Sequence, residues 1–337
     1  MRRILVLNAG SSTLKYALFA GGERVSGATL EGTGEAVLRQ VLDRLGGAPP
    51  DAVGHRVVHG GKDFAAPLLV DATVRAALEA LVPLAPLHQP HNLAGLSAAA
   101  ALWPGVPQIA CFDTAFHRGH DAVAERWAIP VELHVAGLRR YGFHGLSYES
   151  VVAALRRDRP DLAEGRLVIA HLGAGCSLCA VAGGRSRDST MGFTALDGLP
   201  MATRCGQIDP GLVLHLWRQG WPADAVEAML YRQSGLLGLS GLSGDMRVLL
   251  ASDRPEAAFA IAYFVRAVAK QAAAMAAVIG GLDALVFTGG IGENAAPVRE
   301  QVAAALGFLG SFPVLTVACD EEGVIARHTA ALLDRMG

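Results

Sequence analysis

Leu5–Gly22 reads LVLNAGSSTLKYALFAGG, and Leu167–Gly184 reads LVIAHLGAGCSLCAVAGG. The two align without a gap: an apolar run, a turn of small residues, a second apolar run and a Gly-Gly stop. Each reads as a β-hairpin. A repeat of this kind divides the chain into two related halves. Helical patterns at Thr73–Leu81, Leu146–Leu155 and Pro255–Ile279, set between apolar runs such as Leu285–Gly290, make the fold class α/β. Two such hairpins could present backbone N–H groups and small side chains to both ends of a polyphosphate, and a cleft between lobes can close and exclude water. On the repeat alone, two ordinary glycine-rich hairpins are an equal alternative.

With 337 residues the chain is long enough for two well-filled cores. Its 29 Lys and Arg against 31 Asp and Glu give a formal charge of −2. That balance supplies no broad cationic field for nucleic acid or an anionic membrane, so a small-molecule partner is expected. The cysteines number five, an odd count that suits a reducing compartment. Cys176 and Cys179 form a C-x-x-C inside a strand pattern, where residues three apart point to opposite faces, so no zinc or redox role is expected. MRRILVLNAGSS carries no export signal, and the expected location is cytoplasmic. The most apolar long segment, Ala257–Leu282, contains Arg266 and Lys270, each costing ~2.5–3.5 kcal/mol at a bilayer centre. A buried interlobe or interface helix is expected there.

Asn8–Lys15, NAGSSTLK, packs an amide, three hydroxyls, a glycine and a lysine into one turn after an apolar strand, the groups a phosphate loop needs. It is not a Walker A loop. VGHRVVHGG (Val53–Gly61) and MATRCGQIDP (Met201–Pro210) each set an arginine among small residues. Either one alone reads as a structural ion-pair partner. Together Arg56 and Arg204 could grip both sides of a transferring phosphoryl group. Asp113 in CFDTAFH, and Asp320 and Glu321 in VACDEE, end apolar strands, where α/β folds place polar site groups; oxygen ligands with phosphate suit Mg²⁺. Isolated, they would be helix caps or solvated turns. Gly290–Ala295 in GGIGENAAPV also matches a loose GxGxxA dinucleotide fingerprint, with Asp320 as a ribose acid. That rival leaves NAGSSTLK and both arginines unused, and too little chain follows it for a full doubly wound sheet.

In order, NAGSSTLKY, GHRVVHGG, LAPLHQPHN, FDTAFH, YGFHGLS, HLGAGCS, MGFTALDGLPMATRCG, SGLSGDMR, VFTGGIGEN and DEEGVIAR resemble the motifs of the acetate kinase family, from residue 4 to about 330. The resemblance implies two duplicated ribonuclease H-like lobes of the actin, sugar-kinase and heat-shock ATPase superfamily, with the active site in the interlobe cleft. It implies lobes at 1–147 plus 322–337 and at 148–321, ATP/ADP as co-substrate, Mg²⁺ or Mn²⁺, and a homodimer. Asn8, Ser11, Thr13 and Lys15 match the first phosphate loop, and His171, Gly173 and Gly175 the second. Asp245, Arg247, Gly290, Ile291 and Asn294 match the adenosine side; Asn8, Asp113 and Glu321 match the metal environment.

The implied reaction is phosphorylation of a short-chain carboxylate, acetate first and propionate tolerated. A carboxylate is already ionised, so catalysis reduces to in-line positioning and charge neutralisation, without a general base. Arg56 and Arg204 would do the neutralising. His171 would donate to an equatorial phosphoryl oxygen, and His144 would orient substrate or phosphoryl group. The methyl pocket matches Val58, Leu87, Phe143 and Ala195, where the family carries proline at the last position. Further departures are Ala174 for an asparagine, Cys176 for a serine, Asp320 for an asparagine, and a chain shorter by several tens of residues. Alternatives are a propionate-preferring kinase, a nucleotide-binding protein with weakened turnover and an NAD-dependent oxidoreductase. His117, His120, His134, His215 and His328 read as loop or satisfied surface histidines, and Trp103, Trp127, Trp217 and Trp221 as packing anchors.

Overall fold

A computed structural model describes every residue except Ser11, Ser12, Thr33, Leu87 and Gly337, so the expectations placed on Ser11 and Leu87 lie outside the described residues. The chain forms two compact units: Met1–Arg118 with Gly145–Ser150 and Asp320–Gly337, and Gly119–His144 with Val151–Cys319.

In the first unit, strands β1 (Arg3–Ala9), β2 (Thr13–Ala20) and β3 (Glu23–Glu31) form an antiparallel meander, and β4 (Ala52–Val57) and β6 (Gln108–Phe112) extend it in parallel. The two-residue β5 (Leu68–Leu69) closes the edge, giving the order β3-β2-β1-β4-β6-β5. The run ILVL in β1 is uniformly apolar because both faces of the sheet are covered. Leu5 and Leu7 pack with Val37, Leu38 and Val41 of the helix Glu35–Arg44 and with Ala99 of the helix Gln89–Leu102. Ile4 and Val6 pack on the other side with Val324 and Ile325 of the helix Glu321–Met336. That helix approaches closely enough to require glycine in the strand beneath. A Cβ at Gly54 would lie 2.5 Å from Thr329 Oγ1 and 2.6 Å from Ile325 Cγ2.

The second unit repeats the plan with β7 (Arg166–Leu172), β8 (Cys176–Ala182), β9 (Arg185–Ser189), β10 (Ala284–Thr288) and β11 (Val314–Thr316), ordered β11-β10-β7-β8-β9. Again three strands form an antiparallel meander and two join in parallel. The repeat in sequence is therefore a repeat in topology, but the turns differ. Ala9 pairs with Leu14, whereas Leu172 pairs with Cys176, so the second turn is one residue shorter and the register slips by one.

Several expectations change. Residues Gly119–His144, expected in the first lobe, group with the second unit. His120 Nε2 lies 2.6 Å from Ser186 Oγ of β9, and the Tyr141 N–H donates to the Gly192 carbonyl at 2.9 Å. The helix Pro255–Val278 is long and apolar enough to cross a membrane, yet it packs against the sheet and helices of its own unit and buries Ala260, Phe264, Val268 and Ala272. Trp103 is a core residue, and Trp127 stacks under Arg140 at 5.3 Å. Trp217 and Trp221 are not packing anchors within the chain: they are 60% and 42% exposed. His117 is buried edge-on to Tyr148, at 5.7 Å between rings, rather than on the surface. His328 is satisfied, 2.7 Å from Glu149. Cys176 and Cys179 are both buried free thiols, and burial pushes Cys176 up to about 12.

Two buried histidines couple the first unit's stability to pH. His55 of β4 meets Gln108 at 2.7 Å, and the His59 ring nitrogen Nδ1 accepts from the Gly61 N–H at 2.8 Å. Burial lowers both from 6.5 to about 4. The unfolded rings bind protons near 6.5 and the folded rings only near 4, so unfolding takes up protons in between and stability falls as pH drops through that window. The expected loss between about pH 7 and pH 5 is ~2 kcal/mol per ring, with the loss ending below the folded value. Urea unfolding at the two pH values measures it, and an unchanged midpoint contradicts it.

Candidate active site

In the first unit, adjacency of parallel β4 and β6 brings Arg56 beside Asp113, the residue that follows β6. Arg56 Nε lies 3.0 and 3.2 Å from the two Asp113 oxygens and Nη2 2.6 Å from Oδ2, a bidentate grip on a carboxylate only 2% exposed. Burial pushes the Asp113 carboxyl upward and Glu321 adds to this, while Arg56 pulls it down. Asp113 is itself seated by its backbone: its N–H donates to Val57 O, and its carbonyl accepts from Gly145 N–H at 2.8 Å. Gly145 has no room for a side chain, since a Cβ there would meet that carbonyl oxygen.

The remaining guanidinium nitrogen, Arg56 Nη1, lies 3.5 Å from Asn8 Oδ1 and 3.7 Å from Glu321 Oε2. Asn8, Asp113 and Glu321 thus form one oxygen-rich cluster around a single arginine, a donor set suited to a hard cation. Lys15, opposite Asn8 in the β1–β2 ladder, places Nζ 2.7 Å from Glu322, a carboxylate 3% exposed. Thr13 opens β2 on the exposed side. Val58 is buried, its N–H donating to Asn92 Oδ1 at 3.0 Å; the Asn92 amide in turn donates to Ala9 O at 2.8 Å. Gln89 clamps His59 by accepting from its N–H and donating to its carbonyl. Asn92 and Gln89 were not singled out in the sequence, although LAPLHQPHN contains both; an amide reads as an ordinary helix residue until its partners on other elements are known.

In the second unit, Gly173, Asp245, Arg247, Gly290, Ile291 and Asn294 line one cavity of about 700 Å³. This is the size class of small-molecule sites. Ala174 lies on the same wall, and Ala202, Met246, Leu250 and Ala295 add an apolar lining the sequence did not flag. Asp245 caps the helix Met246–Leu250 through the Arg247 N–H and pairs with the Arg247 side chain at 2.6 Å. That hydrogen bonding holds the Asp245 carboxyl below the usual carboxylate range. Glu293 accepts from the N–H groups of Gly289 and Cys319 at 3.0 and 3.1 Å, fixing the loop that carries Gly290 and Ile291.

His144, His171, Gly175 and Arg204 form a second cluster. His144 is the only non-glycine described with a positive φ, at 57°, a backbone state costing roughly 1–3 kcal/mol unless its surroundings enforce it. Its ring stacks on His171 at 4.2 Å between centroids. Arg204 Nη1 donates to the Ala195 carbonyl at 3.0 Å, so Ala195 serves here through its backbone. Phe143 is buried beside His144 in sequence.

One unit holds an arginine–carboxylate–amide cluster and the other a cavity of small-molecule size, on sheets that share a five-strand plan to which the first unit adds the edge strand β5. Such an arrangement suits a phosphotransferase built on two related α/β units. The acetokinase family model matches residues 47–332. An acetate kinase of Nitrobacter hamburgensis is 47% identical, covering 99% of this chain and 96% of its own length. Among solved structures, Porphyromonas gingivalis acetate kinase is 32% identical with a TM-score of 0.90, covering 99% of this chain and 100% of its own. A Francisella tularensis propionate kinase is 35% identical with a TM-score of 0.91, covering 97% and 99%. The chain belongs to the acetokinase family. The dinucleotide reading of Gly290–Ala295 falls with it, because the sheet beside that segment is an antiparallel meander with two parallel strands, not a doubly wound parallel sheet.

Proposed function

We propose that the protein transfers the γ-phosphoryl group of ATP to acetate, forming acetyl phosphate and ADP, reversibly and with propionate tolerated. The observation that carries the reading is Arg56, gripped by Asp113 with its last nitrogen turned toward Asn8 and Glu321. Asp113 fixes the guanidinium so that it meets anionic oxygen without reorganising. Asn8 and Glu321 would hold Mg²⁺, which when bound neutralises phosphate charge. The nucleotide occupies the cavity between Asp245 and Gly290, its phosphates toward Gly173 and Gly175. His171 donates to a phosphoryl oxygen, His144 orients the reacting groups and Arg204 stabilises the charge spread over the transferring group. Lys15, steadied by Glu322, supports the phosphates from the first loop. Val58, Phe143 and Ala195, with Leu87, limit the acyl chain. A homodimer is supported by the exposed Leu212, Leu214, Trp217 and Trp221 of one surface segment.

The test traps the acyl phosphate as its hydroxamate with acetate, propionate and butyrate in turn. Acetate is expected to give the highest kcat/KM and butyrate the lowest. One methylene is worth ~1–3 kcal/mol in such a pocket, so each step should cost roughly 10- to 200-fold. Butyrate turning over fastest, or Mg-ATP binding without any product, contradicts the reading.

A further inference from the structure

We propose that Ser177 is a positioning residue for His144, donating its hydroxyl proton to Nδ1 and so keeping the ring proton on Nε2. The inference rests on the phosphoryl-transfer reading above and adds a residue to it.

Ser177 sits in β8, fully buried, directly opposite His171 in the β7–β8 ladder. Opposed residues share a face of the sheet. Ser177 Oγ and the His171 ring therefore leave the same face, and His144 meets both: Nδ1 is 2.8 Å from Ser177 Oγ, and the ring stacks on His171 within 26° of parallel. His144 begins the helix Gly145–Asp158, yet its side chain makes no capping bond. It turns toward the sheet instead.

The far side of the ring is defined by Gly175. A Cβ at that position would lie 3.3 Å from His144 Nε2 and 3.8 Å from Arg204 Nη1, so both nitrogens border the space left by the missing side chain. A neutral ring offers one donor and one acceptor. For Nε2 to donate to an anionic oxygen beside Arg204, the acceptor must be Nδ1, and a hydroxyl there supplies the matching proton.

The experiment combines imidazole ¹⁵N spectra with steady-state kinetics on the full chain, the His144 signals being assigned against His144→Asn. In the unaltered protein, Nε2 is expected to carry the proton and Nδ1 to show an unprotonated, hydrogen-bonded shift. A protonated Nδ1 overturns the proposal. In Ser177→Ala the Nδ1 signal should move, and kcat should fall about 3- to 10-fold, the effect of one hydrogen bond, with KM for Mg-ATP unchanged. Ser177→Thr, which keeps the hydroxyl, should restore the shift and most of kcat. Ser177→Cys, which keeps the volume but donates weakly, should resemble Ser177→Ala. If Ser177→Ala leaves the nitrogen shifts in place, the pairing is overturned. If the shifts move and kcat does not, the catalytic half is overturned. Absence of acyl phosphate from the unaltered protein would instead overturn the reaction, leaving the spectra to decide the pairing by themselves.

Discussion

Arg204→Ala is expected to lower kcat by about 10³- to 10⁵-fold, the range such arginines supply to phosphoryl transfer, while leaving the fold nearly intact. The side chain contributes a hydrogen bond to the Ala195 carbonyl, whose loss costs ~1 kcal/mol. The backbone contact from Met201 N–H to the Arg204 carbonyl survives the substitution. Hydroxamate trapping and thermal melting together measure the two effects. Arg204→Lys keeps the charge but loses the fork, and should recover only part of the rate. Full activity in Arg204→Ala removes this residue from the mechanism.

Arg56→Ala is expected to fail on both counts. Asp113 loses its bidentate partner while 98% of its surface stays out of water. Breaking a buried pair from one side costs ~3–5 kcal/mol, because the remaining charge is uncompensated. Adding Asp113→Asn to Arg56→Ala removes that charge, and should return much of the stability without the turnover. A denaturation midpoint that recovers in the double variant while the trapped product stays absent separates the structural role of Arg56 from its catalytic one. Recovery of both, or of neither, contradicts the assignment.

The contrast between the two arginines was not legible in their sequence contexts. GHRVVHGG and ATRCG look alike, each an arginine among small residues. Arg56 is clamped by a carboxylate because β4 and β6 are neighbours in the sheet. Arg204 is held by the carbonyl of Ala195, nine positions back in its own loop. A partner 57 residues away is chosen by strand order, which no local pattern encodes.

What the sequence determined by itself was the architecture and the inventory. Alternating and continuous apolar runs specify strands through the two-residue period. The duplicated LVLNAGSSTLKYALFAGG motif specified two related sheets, each opening on the same antiparallel meander, and ten ordered motifs specified the acetokinase family. What only the tertiary structure decided was which of those groups meet. An ungapped alignment sets Ser177 against Lys15 and His171 against Ala9. The folded hairpins differ by one residue in the turn, so Asn8 faces Lys15 in one copy while His171 faces Ser177 in the other. Because side chains alternate along a strand, a slip of one position replaces every cross-strand partner. The same words in the sequence therefore build a lysine–amide pair in one unit and a serine–histidine pair in the other.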